Sequence, residues 1–593
     1  KLREQIAAKL DFILKGDTAK LRGKESTISE LRRLCLIEGT QSVIERVTYT
    51  WFNRFLALRF MDINGYYPFH VKVVTPKEGE SIPEILSNAK AADFNDELFT
   101  KQRKEEIIHV LDNPTGNPEN EAYRLLLVSA CNYLSELFPF LFEGINDYTE
   151  LLLPNDLTSP HSILVDVVKG ITEEHCSEVE LIGWVYQFYI SERKDEVTAA
   201  KGKVAKKDIP AITQLFTPRW IVEYMVQNTL GKIWLQNFPN SNLKEIMPYY
   251  IETKQESDFL RISSPEELTL VDPACGSGHI LVYAFELLTY IYEEEGYRQR
   301  DIARLIIENN LFGYEIDERA GQLANLALFL KARSYDKGFF RRGCSSPNIW
   351  TFEDLNISSG ELTNFFLKLQ LDPSKELEDD LEWMREATNL GSLYQPKATE
   401  IELKHFLTVL EKNTCKTLFT NIGHLTKMKY IINQLLLLKK TYLTIVANPP
   451  YLGGGDFNKP LKKYIDKAYP DSKSDLCTCF IERGLDLITQ SAFLGMITQQ
   501  SWMFLGSYNK LREKIVQETY INSLLHLGSR TFPEIGGEVV QNSAFVLLND
   551  RVHRKGVYFR LIDFKHTDKK ANKTLEAIKN PNCGWYYTTN QAN

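Results

Sequence analysis

Apolar and polar positions follow two different rhythms along this chain of 593 residues. Up to about residue 200, apolar residues recur at helical spacing, for example at Trp51, Phe55 and Leu58, which predicts amphipathic helices. From about residue 211, short apolar runs alternate with helical stretches, a pattern typical of a parallel sheet covered by helices. We therefore expect an α/β fold with a Rossmann-like sheet, preceded by a helical N-terminal domain at residues 1–205.

Breaks in this pattern suggest the domain boundaries. The largely polar stretch Val204–Pro210, which ends in a proline, is interpreted as a linker. Charged helical sequence at about residues 357–440 predicts a helical insertion, and the sheet resumes at Tyr442. The prediction is a sheet domain at residues 206–550, followed at 551–593 by the start of a C-terminal region.

Composition and charge narrow the class of protein. Hydrophobic residues make up 43% and charged residues 25%, which is ordinary for a soluble globular protein. The chain lacks an apolar run of the roughly 20 residues that span a bilayer, and its first residues lack a signal-peptide pattern. The nine cysteines are scattered, so we expect reduced thiols, a cytoplasmic location, no membrane association and no metal site.

The net charge of −8 does not indicate a nucleic-acid-binding protein. One segment departs from this balance, because Arg551–Lys579 holds nine Lys or Arg against three Asp or Glu. This segment is either a solvated basic surface or a strip that contacts phosphates.

A glycine-rich string follows the apolar run Leu268–Val271. In a doubly wound sheet the ligand lies beyond the carboxyl ends of the strands, and glycines allow the backbone to approach it closely. Asp272 is placed to meet a cationic ammonium group, whereas an isolated glycine turn would have only a structural role. The predicted cofactor-binding residues of this loop are Asp272, Pro273, Ala274, Cys275, Gly276 and Gly278.

Two further strand ends carry acidic residues. Glu315, followed by Ile316, ends the second predicted strand, where a carboxylate can accept hydrogen bonds from both hydroxyls of a ribose. Asp317 can cap the helix that follows. At the third strand end Asp354 is the candidate acceptor for the cofactor's adenine amino group, although Glu353 competes for this role.

The string Asn448-Pro449-Pro450-Tyr451 closes the apolar run Tyr442–Ala447 and carries the predicted catalytic residues. The amino group of adenine is a poor nucleophile because its lone pair is delocalised. The Asn448 side-chain oxygen and the Pro449 carbonyl can accept from that amino group and orient it, while Tyr451 stacks on the flipped base. With the glycine loop, this string predicts an S-adenosylmethionine-dependent amino methyltransferase.

The order of these strings resembles the gamma class of DNA adenine methyltransferases. Gln214–Val222 is similar to the segment that closes over the methionine end of the cofactor in that class. The resemblance therefore implies cofactor contacts by Phe216, Thr217 and Pro218. It continues through the glycine loop, the later motifs and Ser474-Asp475-Leu476, and covers roughly residues 211–549.

Two strings in the helical region, Thr50–Asp62 and Gly183–Glu192, resemble the PglX/BrxX family of BREX phage-defence adenine methyltransferases. This resemblance implies N6-adenine methylation of a short non-palindromic site that marks host DNA. It also implies double-stranded DNA, other BREX-system proteins and phage-encoded inhibitors as partners. Members of this family are about twice as long, so we expect a target-recognition domain that this chain lacks.

Other functions remain open at this point. A fused type II restriction-modification enzyme would add a nuclease, for which Glu-x-Lys triplets begin at Glu192, Glu252 and Glu402. An Asn-Pro-Pro-Tyr enzyme can also methylate a protein glutamine. A non-catalytic, cofactor-sensing scaffold of a defence complex would retain the fold without the reaction.

Overall fold

The structure is a computed structural model that describes residues 1–16, 23–113, 116–139, 141–142, 148–200, 202–252, 259–342, 346–414, 422–532, 540–551 and 554–590. The chain divides into two compact units. One contains residues 1–182 with 325–344, and the other contains residues 183–324 with 345–593. The division near residue 183 differs from the boundary at residue 205 that the sequence suggested.

The first unit is helical, as the apolar spacing predicts. Trp51, Phe55 and Leu58 all lie buried on one long helix, α3. Another helix, α6, ends at Leu137, shortly before Pro139, because proline disfavours helical geometry in the residue before it. The helices are α1 (Leu2–Lys15), α2 (Glu25–Glu38), α3 (Thr40–Asn64), α4 (Glu84–Lys90), α5 (Lys101–Leu111), α6 (Pro118–Leu137), α7 (Tyr148–Leu151) and α8 (Ile163–Gly170).

The second unit is built on a mixed β-sheet. Its inner strands are almost wholly buried, which explains why they appear as continuous apolar runs in the sequence. The strands are β1 (Leu270–Asp272), β2 (Leu311–Glu315), β3 (Asn348–Thr351), β4 (Tyr442–Ala447), β5 (Ile488–Gln499), β6 (Tyr520–Gly528), β7 (Asn542–Leu548), β8 (Lys555–Arg560) and β9 (Tyr586–Asn590).

The strand order is β3-β2-β1-β4-β5-β7-β6-β8-β9. Strand β1 pairs in parallel with β2 on one side and with β4 on the other, with Val271 opposite both Phe312 and Ile445. Strand β7 is antiparallel to β5 and β6. The predicted Rossmann-like fold class is confirmed, and the chain reverses its direction of winding between β1 and β4, where such sheets bind ligands.

Helices cover this sheet and also form the segment between β3 and β4, where the sequence predicts a helical insertion. The helices of the second part of the chain are α9 (Leu181–Ala199), α10 (Ile209–Thr213), α11 (Arg219–Gln227), α12 (Leu230–Asn237), α13 (His279–Glu294), α14 (Gln299–Leu305), α15 (Glu318–Tyr335), α16 (Ser359–Leu369), α17 (Lys375–Trp383), α18 (Ala387–Leu390), α19 (Glu400–Thr414), α20 (Ile422–Leu437), α21 (Lys459–Ala468), α22 (Leu476–Leu487), α23 (Asn509–Glu518) and α24 (Thr567–Lys579).

Two expectations about segment boundaries are corrected. The stretch Val204–Pro210 is not an open linker, because Val204 and Ile209 are buried in the core of the second unit and the Val204 N–H donates to the Asp456 carbonyl. The described residues between 554 and 590 do not start a separate region. Their strands β8 and β9 extend the same sheet, with β8 parallel to β6.

Within the described ranges, no helix is both long and apolar enough to cross a membrane. The described cysteines are all free thiols. No group of three or more His, Cys, Asp or Glu side chains is placed to hold a metal ion in the part of the chain that the structure describes.

Candidate functional site

A cleft opens at the carboxyl ends of β1 and β4. These strands are parallel neighbours, so the glycine loop after β1 and the Asn-Pro-Pro-Tyr string after β4 emerge at the same edge of the sheet. The cleft contains about 1060 Å³ of atom-free space, part of it open to solvent. Of the predicted residues, it is lined by Phe216, Thr217, Asp272, Pro273, Ala274, Cys275, Gly276, Glu315, Ile316, Asn448 and Pro450.

The glycine loop is fixed by the two carboxylates that flank it. The Ala274 N–H donates to Asp272 over 3.1 Å, and the Gly276 N–H donates to Glu315 over 2.8 Å. Gly276 has φ +54°, which favours glycine. A side chain there would also crowd the Gln214 amide, 3.2 Å from the position of its Cβ. The left-handed backbone and the nearby Gln214 amide therefore both favour glycine at this position.

Glu315 is buried and already accepts several hydrogen bonds. Its carboxylate takes the backbone N–H groups of Gly276, Ile316 and Asp317 at 2.8–2.9 Å. An ionised carboxylate has about four acceptor positions, so it retains room for about one ribose hydroxyl rather than the two that the sequence suggested.

Two buried carboxyls face the cleft. Burial raises the pKa of Asp272 to about 8, and that of Glu315 to about 7. The charge of Glu315 also raises the pKa of Asp272. A bound cation would favour the ionised forms of both groups, so this end of the cleft suits a positively charged ligand.

Asn448 is held in one orientation. Its Nδ2 donates to the Leu215 carbonyl over 3.1 Å, whereas its Oδ1 is buried and lacks a hydrogen-bond partner among the described residues. A buried acceptor without a partner costs about 1–3 kcal/mol, so a ligand donor at this atom would be stabilised.

The remaining residues of that string are placed differently from one another. Pro450 lines the cleft, whereas Pro449 is buried and lies outside the lining. Tyr451 also lies outside it. Its hydroxyl donates to the Ile497 carbonyl over 3.3 Å and accepts from Asn542 over 3.2 Å. Burial raises the pKa of Tyr451 well above its ordinary value, so this hydroxyl stays protonated.

The segment Gln214–Thr217 lines the cleft, and its Phe216 belongs to a cluster of aromatic rings. The Phe216 ring lies 4.1 Å from the ring of His279 and 5.5 Å from that of Trp184. Burial lowers the pKa of His279 to about 4, so the imidazole is neutral near pH 7. Pro218 is not part of the lining and precedes the first residue of α11.

Two predicted cofactor residues have other contacts. Gly278 is the N-cap of α13 and has φ +83°, and a Cβ there would lie 3.1 Å from Cα of Ala324. Its role is therefore close packing between α13 and α15. Asp354 lies outside the lining, where it pairs with Lys206 over 2.6 Å and accepts from the Thr388 N–H. Its competitor Glu353 pairs with Lys427.

Helix α9 supplies a wall of the cleft that sequence reasoning missed. A Cβ on Gly183 would come within 2.6 Å of the Ser277 hydroxyl, so this helix approaches the glycine loop closely. The Tyr186 hydroxyl donates to Asp317 over 2.6 Å, and the Asp317 N–H donates to Glu315. The signal was Gly183 itself, because a glycine within a helical pattern often marks a close contact.

Two other groups near the cleft escaped sequence analysis. The segment Asn389–Leu393 and His279 both line it, as does Gln214 at the start of the segment that the resemblance indicated. Asn389 exchanges side-chain hydrogen bonds with Asn458, the N-cap of α21, at 2.9 and 3.0 Å. These contacts join residues far apart in sequence, so no local pattern indicated them.

The loop that follows Tyr451 is held by backbone hydrogen bonds. The Gly454 N–H donates to the Ser474 carbonyl over 2.8 Å, and the Leu476 N–H donates to the Leu452 carbonyl over 2.9 Å. The two hydrogen bonds connect it to the turn that precedes α22.

Part of the basic segment Arg551–Lys579 serves the fold, although residues 552 and 553 lie outside the described ranges. Lys570 is buried and donates to the Ser529 carbonyl. The Lys573 ammonium lies 4.6 Å from the centre of the Trp585 ring. Lys565 and Lys569 are exposed and remain candidates for contact with phosphates.

The triplets considered for a nuclease do not share a strand. Glu192 lies in α9 and Glu402 in α19. The third triplet, which begins at Glu252, extends outside the described residues.

Known proteins resemble this chain in sequence. The family model of the Eco57I restriction-modification methylase matches residues 309–532. The adenine-specific methyltransferase BrxX of Escherichia coli O9:H4 is 39% identical over 568 residues, covering 90% of this chain and 46% of that protein. The adenine-specific methyltransferase PglX of Lacticaseibacillus casei is 37% identical over 587 residues, covering 94% of this chain and 48% of that protein.

This chain is a homologue of those methyltransferases. The resemblance that the sequence motifs indicated is thus confirmed, and the chain spans about half the length of the curated relatives it matches. A modification subunit of a putative type I restriction enzyme from Vibrio vulnificus superposes with a TM-score of 0.40 at 14% identity. That alignment covers 99% of this chain and 92% of the other, and a similarity this weak carries no further argument.

Proposed function

We propose that this chain is the catalytic part of a site-specific DNA adenine N6-methyltransferase that uses S-adenosylmethionine. The observation that carries the proposal is the orientation of Asn448 at the cleft. Its amide nitrogen donates to the Leu215 carbonyl, and its buried oxygen has no hydrogen-bond donor among the described residues. An exocyclic amino group of a base is such a donor, and the homologues are named as adenine-specific methyltransferases.

The residues of the cleft fit S-adenosylmethionine. The glycine loop at Gly276 lines the cleft, and the buried carboxyls of Asp272 and Glu315 suit a cation beside a ribose. Phe216, Thr217 and Ile316 would enclose the remaining apolar surface. When bound, the cofactor supplies an electrophilic methyl group. Asp354 does not enter this proposal, because Lys206 occupies its carboxylate outside the cleft.

The residues after β4 would orient the target base. Asn448 Oδ1 accepts from the adenine amino group, and the Pro449 carbonyl is the second proposed acceptor, since proline supplies an acceptor without a donor. Tyr451 is the proposed stacking platform for the flipped base, with its hydroxyl anchored to Ile497. Accurate positioning of this kind supplies much of the rate enhancement without a charged base.

The proposed partners follow from this activity and from the homologues. Double-stranded DNA is the substrate, and we propose that methylation marks host DNA within a BREX-type phage-defence system. Other BREX-system proteins and phage-encoded inhibitors are the proposed protein partners.

The test is to map methylated adenines in cells that carry the full-length protein or its Asn448→Ala variant. We expect adenine marking at one recurring sequence in the wild type and a loss of about 100-fold or more in the variant, a size typical for removal of one stabilising group from an active site. Asn413→Ala, which changes a side chain that bonds within α19, serves as the matched control and is expected to retain marking.

Two results would contradict the proposal. Wild-type levels of marking in the Asn448→Ala strain would remove Asn448 from catalysis. Purified wild-type protein that fails to bind S-adenosylmethionine in calorimetry would remove the cofactor assignment.

A further inference from the structure

Two adjacent apolar residues are exposed shortly after β5. Phe504 and Leu505 follow the 3₁₀ turn Gln500–Met503, and they are 59% and 54% exposed. Single exposed apolar side chains are normal on a protein surface, whereas contiguous ones surrounded by polar groups mark sites of interaction. This pair, which we call the Phe504–Leu505 turn, therefore indicates a surface that binds a partner.

The backbone of the Phe504–Leu505 turn is held by hydrogen bonds. The N–H groups of both residues donate to the Ser501 carbonyl, at 3.2 and 3.0 Å. The Arg512 guanidinium donates to the carbonyls of Trp502 and Leu505, at 2.6 and 2.8 Å. The two apolar side chains thus project from a fixed backbone, so binding a partner would cost little conformational entropy.

The turn lies at the same edge of the sheet as Asn448. Strands β4 and β5 are parallel neighbours, with Ala447 opposite Met496. The segment after β5 therefore emerges beside the Asn-Pro-Pro-Tyr string that follows β4. A DNA duplex whose target base reaches Asn448 would lie against the edge that carries the Phe504–Leu505 turn.

Hydrogen bonds also connect the turn to Tyr451, the proposed stacking platform for the flipped base. The Asn542 amide donates to the Tyr451 hydroxyl over 3.2 Å and to the Thr498 carbonyl over 3.4 Å. The Trp502 indole N–H donates to the Thr498 hydroxyl over 3.1 Å. Because Phe504 follows Trp502 closely in the chain, these contacts fix the turn relative to Tyr451.

The Phe504 ring packs against one side chain of β6. Its centre lies 5.6 Å from that of the His526 ring. His526 Nε2 donates to the side-chain oxygen of Gln500 over 2.7 Å, which fixes the imidazole. The histidine thus supports the Phe504 ring while leaving more than half of that residue exposed.

The charges at the neighbouring strand ends suit a nucleic acid. Strands β6 and β8 run in the same direction as β5, because β7 is antiparallel to both β5 and β6. Within residues 527–532 and 560–570, the exposed charged residues are more often basic than acidic, with Arg530, Arg560, Lys565 and Lys569 against Asp563 and Asp568. Cations beside an apolar turn match a duplex, in which phosphates surround a stack of bases.

The chemistry of base flipping gives such a turn a task. An extruded base leaves a gap in the stack, and breaking the stacking contacts costs free energy. Proteins that deform DNA insert apolar side chains such as Phe and Leu between base steps, which replaces part of the lost contact. The Phe504–Leu505 turn presents both of these residue types.

We propose that Phe504, with Leu505 beside it, enters the DNA stack where the target adenine leaves it and so lowers the cost of flipping. This inference rests on the proposed function, because it assumes a flipped adenine at Asn448. It assigns a role in base flipping to two residues that the sequence motifs did not indicate.

The experiment compares duplexes whose target adenine is paired or mismatched. The full-length protein methylates duplex oligonucleotides that carry the sequence mapped in cells, with the target adenine opposite thymine or opposite cytosine. We expect Phe504→Ala to lower kcat/KM on the paired duplex by about 10- to 100-fold, part of the cost of unstacking one base. On the mismatched duplex, where flipping costs less, the loss should stay below about threefold.

A second measurement follows flipping directly. The fluorescence of 2-aminopurine at the target position rises when this base leaves the stack. With S-adenosylhomocysteine bound, the rise with Phe504→Ala should be less than about half of that with the wild type. Equal affinity of the two proteins for S-adenosylhomocysteine in calorimetry shows that the variant is folded at the cleft.

Three further variants complete the comparison. Phe504→Leu keeps an apolar side chain and should retain kcat/KM on the paired duplex within about threefold. Phe504→Gln removes the apolar character at similar length, and it takes the place of Phe504→Ala should that variant fail to fold. Phe12→Ala is the matched control, because Phe12 on α1 is 53% exposed, and it should behave as the wild type does.

The outcomes separate this inference from the proposed function. Equal losses on the paired and mismatched duplexes would overturn the inference, and so would wild-type rates and fluorescence. Loss of adenine marking in cells with wild-type rates on both duplexes would show that the turn binds a protein surface instead of DNA. If the wild-type protein methylates neither duplex, it is the proposed function that fails.

Discussion

Gly278 and Gly296 bracket α13 and offer a controlled test of how the glycine loop is held. Both have left-handed backbones, with φ +83° at Gly278 and +77° at Gly296. A Cβ on Gly278 would lie 3.1 Å from Cα and Cβ of Ala324, whereas a Cβ on Gly296 would meet nothing within 4 Å. Replacing each by alanine therefore adds the same backbone strain, but only Gly278→Ala adds a steric contact.

The two substitutions should differ in their effect on the free energy of unfolding only through the contact with Ala324. Left-handed geometry costs an alanine about 1–2 kcal/mol, so Gly296→Ala should lower the free energy of unfolding by about that amount. Overpacking against a neighbouring helix adds about 1–3 kcal/mol. Gly278→Ala should therefore cost about 2–5 kcal/mol and shift the glycine loop away from α15, which should weaken cofactor binding as well.

Thermal unfolding of the full chain, with and without S-adenosylmethionine, measures both effects. The transition that the ligand raises identifies the unit that contains the cleft. We expect a larger drop in that transition for Gly278→Ala than for Gly296→Ala, and a loss of cofactor affinity only in Gly278→Ala. Equal drops in the two variants, with equal affinity for the cofactor, would refute the close packing of α13 on α15.

Three further predictions concern groups around the same cleft. Tyr186→Phe removes the hydroxyl that donates to Asp317. Calorimetry should show that the affinity for S-adenosylmethionine falls by about 5- to 50-fold. Unchanged affinity would exclude a role for Tyr186 in positioning the residues that bind the cofactor. In the folded protein Asp272 keeps its proton up to about pH 8 and Glu315 up to about pH 7. In the unfolded chain both carboxyls lose their protons near pH 4. The free energy of unfolding should therefore fall as the pH rises from about 4 to about 8. Thermal melts at several pH values should show a weaker dependence of stability on pH for Asp272→Asn than for the wild type. An equal dependence in the two proteins would contradict the raised pKa of Asp272. Asn458→Ala removes the α21 N-cap, and chemical denaturation should show a loss of about 1–2 kcal/mol, whereas no loss would mean that another group caps this helix.

Sequence reasoning located the strands that carry the site because their signals are local. Strand β4 coincides with the predicted run Tyr442–Ala447, and β2 ends at Glu315, where the sequence predicts the end of the second strand. Buried strands of a parallel sheet are continuous apolar runs, and each is followed here by a distinctive motif. Parallel pairing of β1 with β4 then brings the two motifs together.

Contacts between residues far apart in the chain could not be predicted from local patterns. Lys206, which the sequence placed in a linker, forms an ion pair with Asp354, the predicted acceptor for the cofactor's adenine amino group. Val204 and Ile209, the apolar residues of that stretch, are buried in the core of the sheet domain. The polar composition of the rest of the stretch gave no indication of this burial. The sequence did not predict strands β8 and β9. Both end residues of β8 are exposed, and most of β9 is exposed, so neither strand forms a long apolar run.

If Asn448 binds the target base as proposed, its hydrogen bond to Leu215 limits which nucleobases the cleft can accept. The Leu215 carbonyl can accept a hydrogen bond but cannot donate one, so it fixes the Asn448 amide with its NH₂ group towards Leu215. The amide oxygen of Asn448 is then the atom available to a ligand. Guanine and thymine carry keto oxygens where adenine and cytosine carry amines. Oxygen facing oxygen repels, so a keto base would be rejected before any contact with its neighbours in the sequence is made.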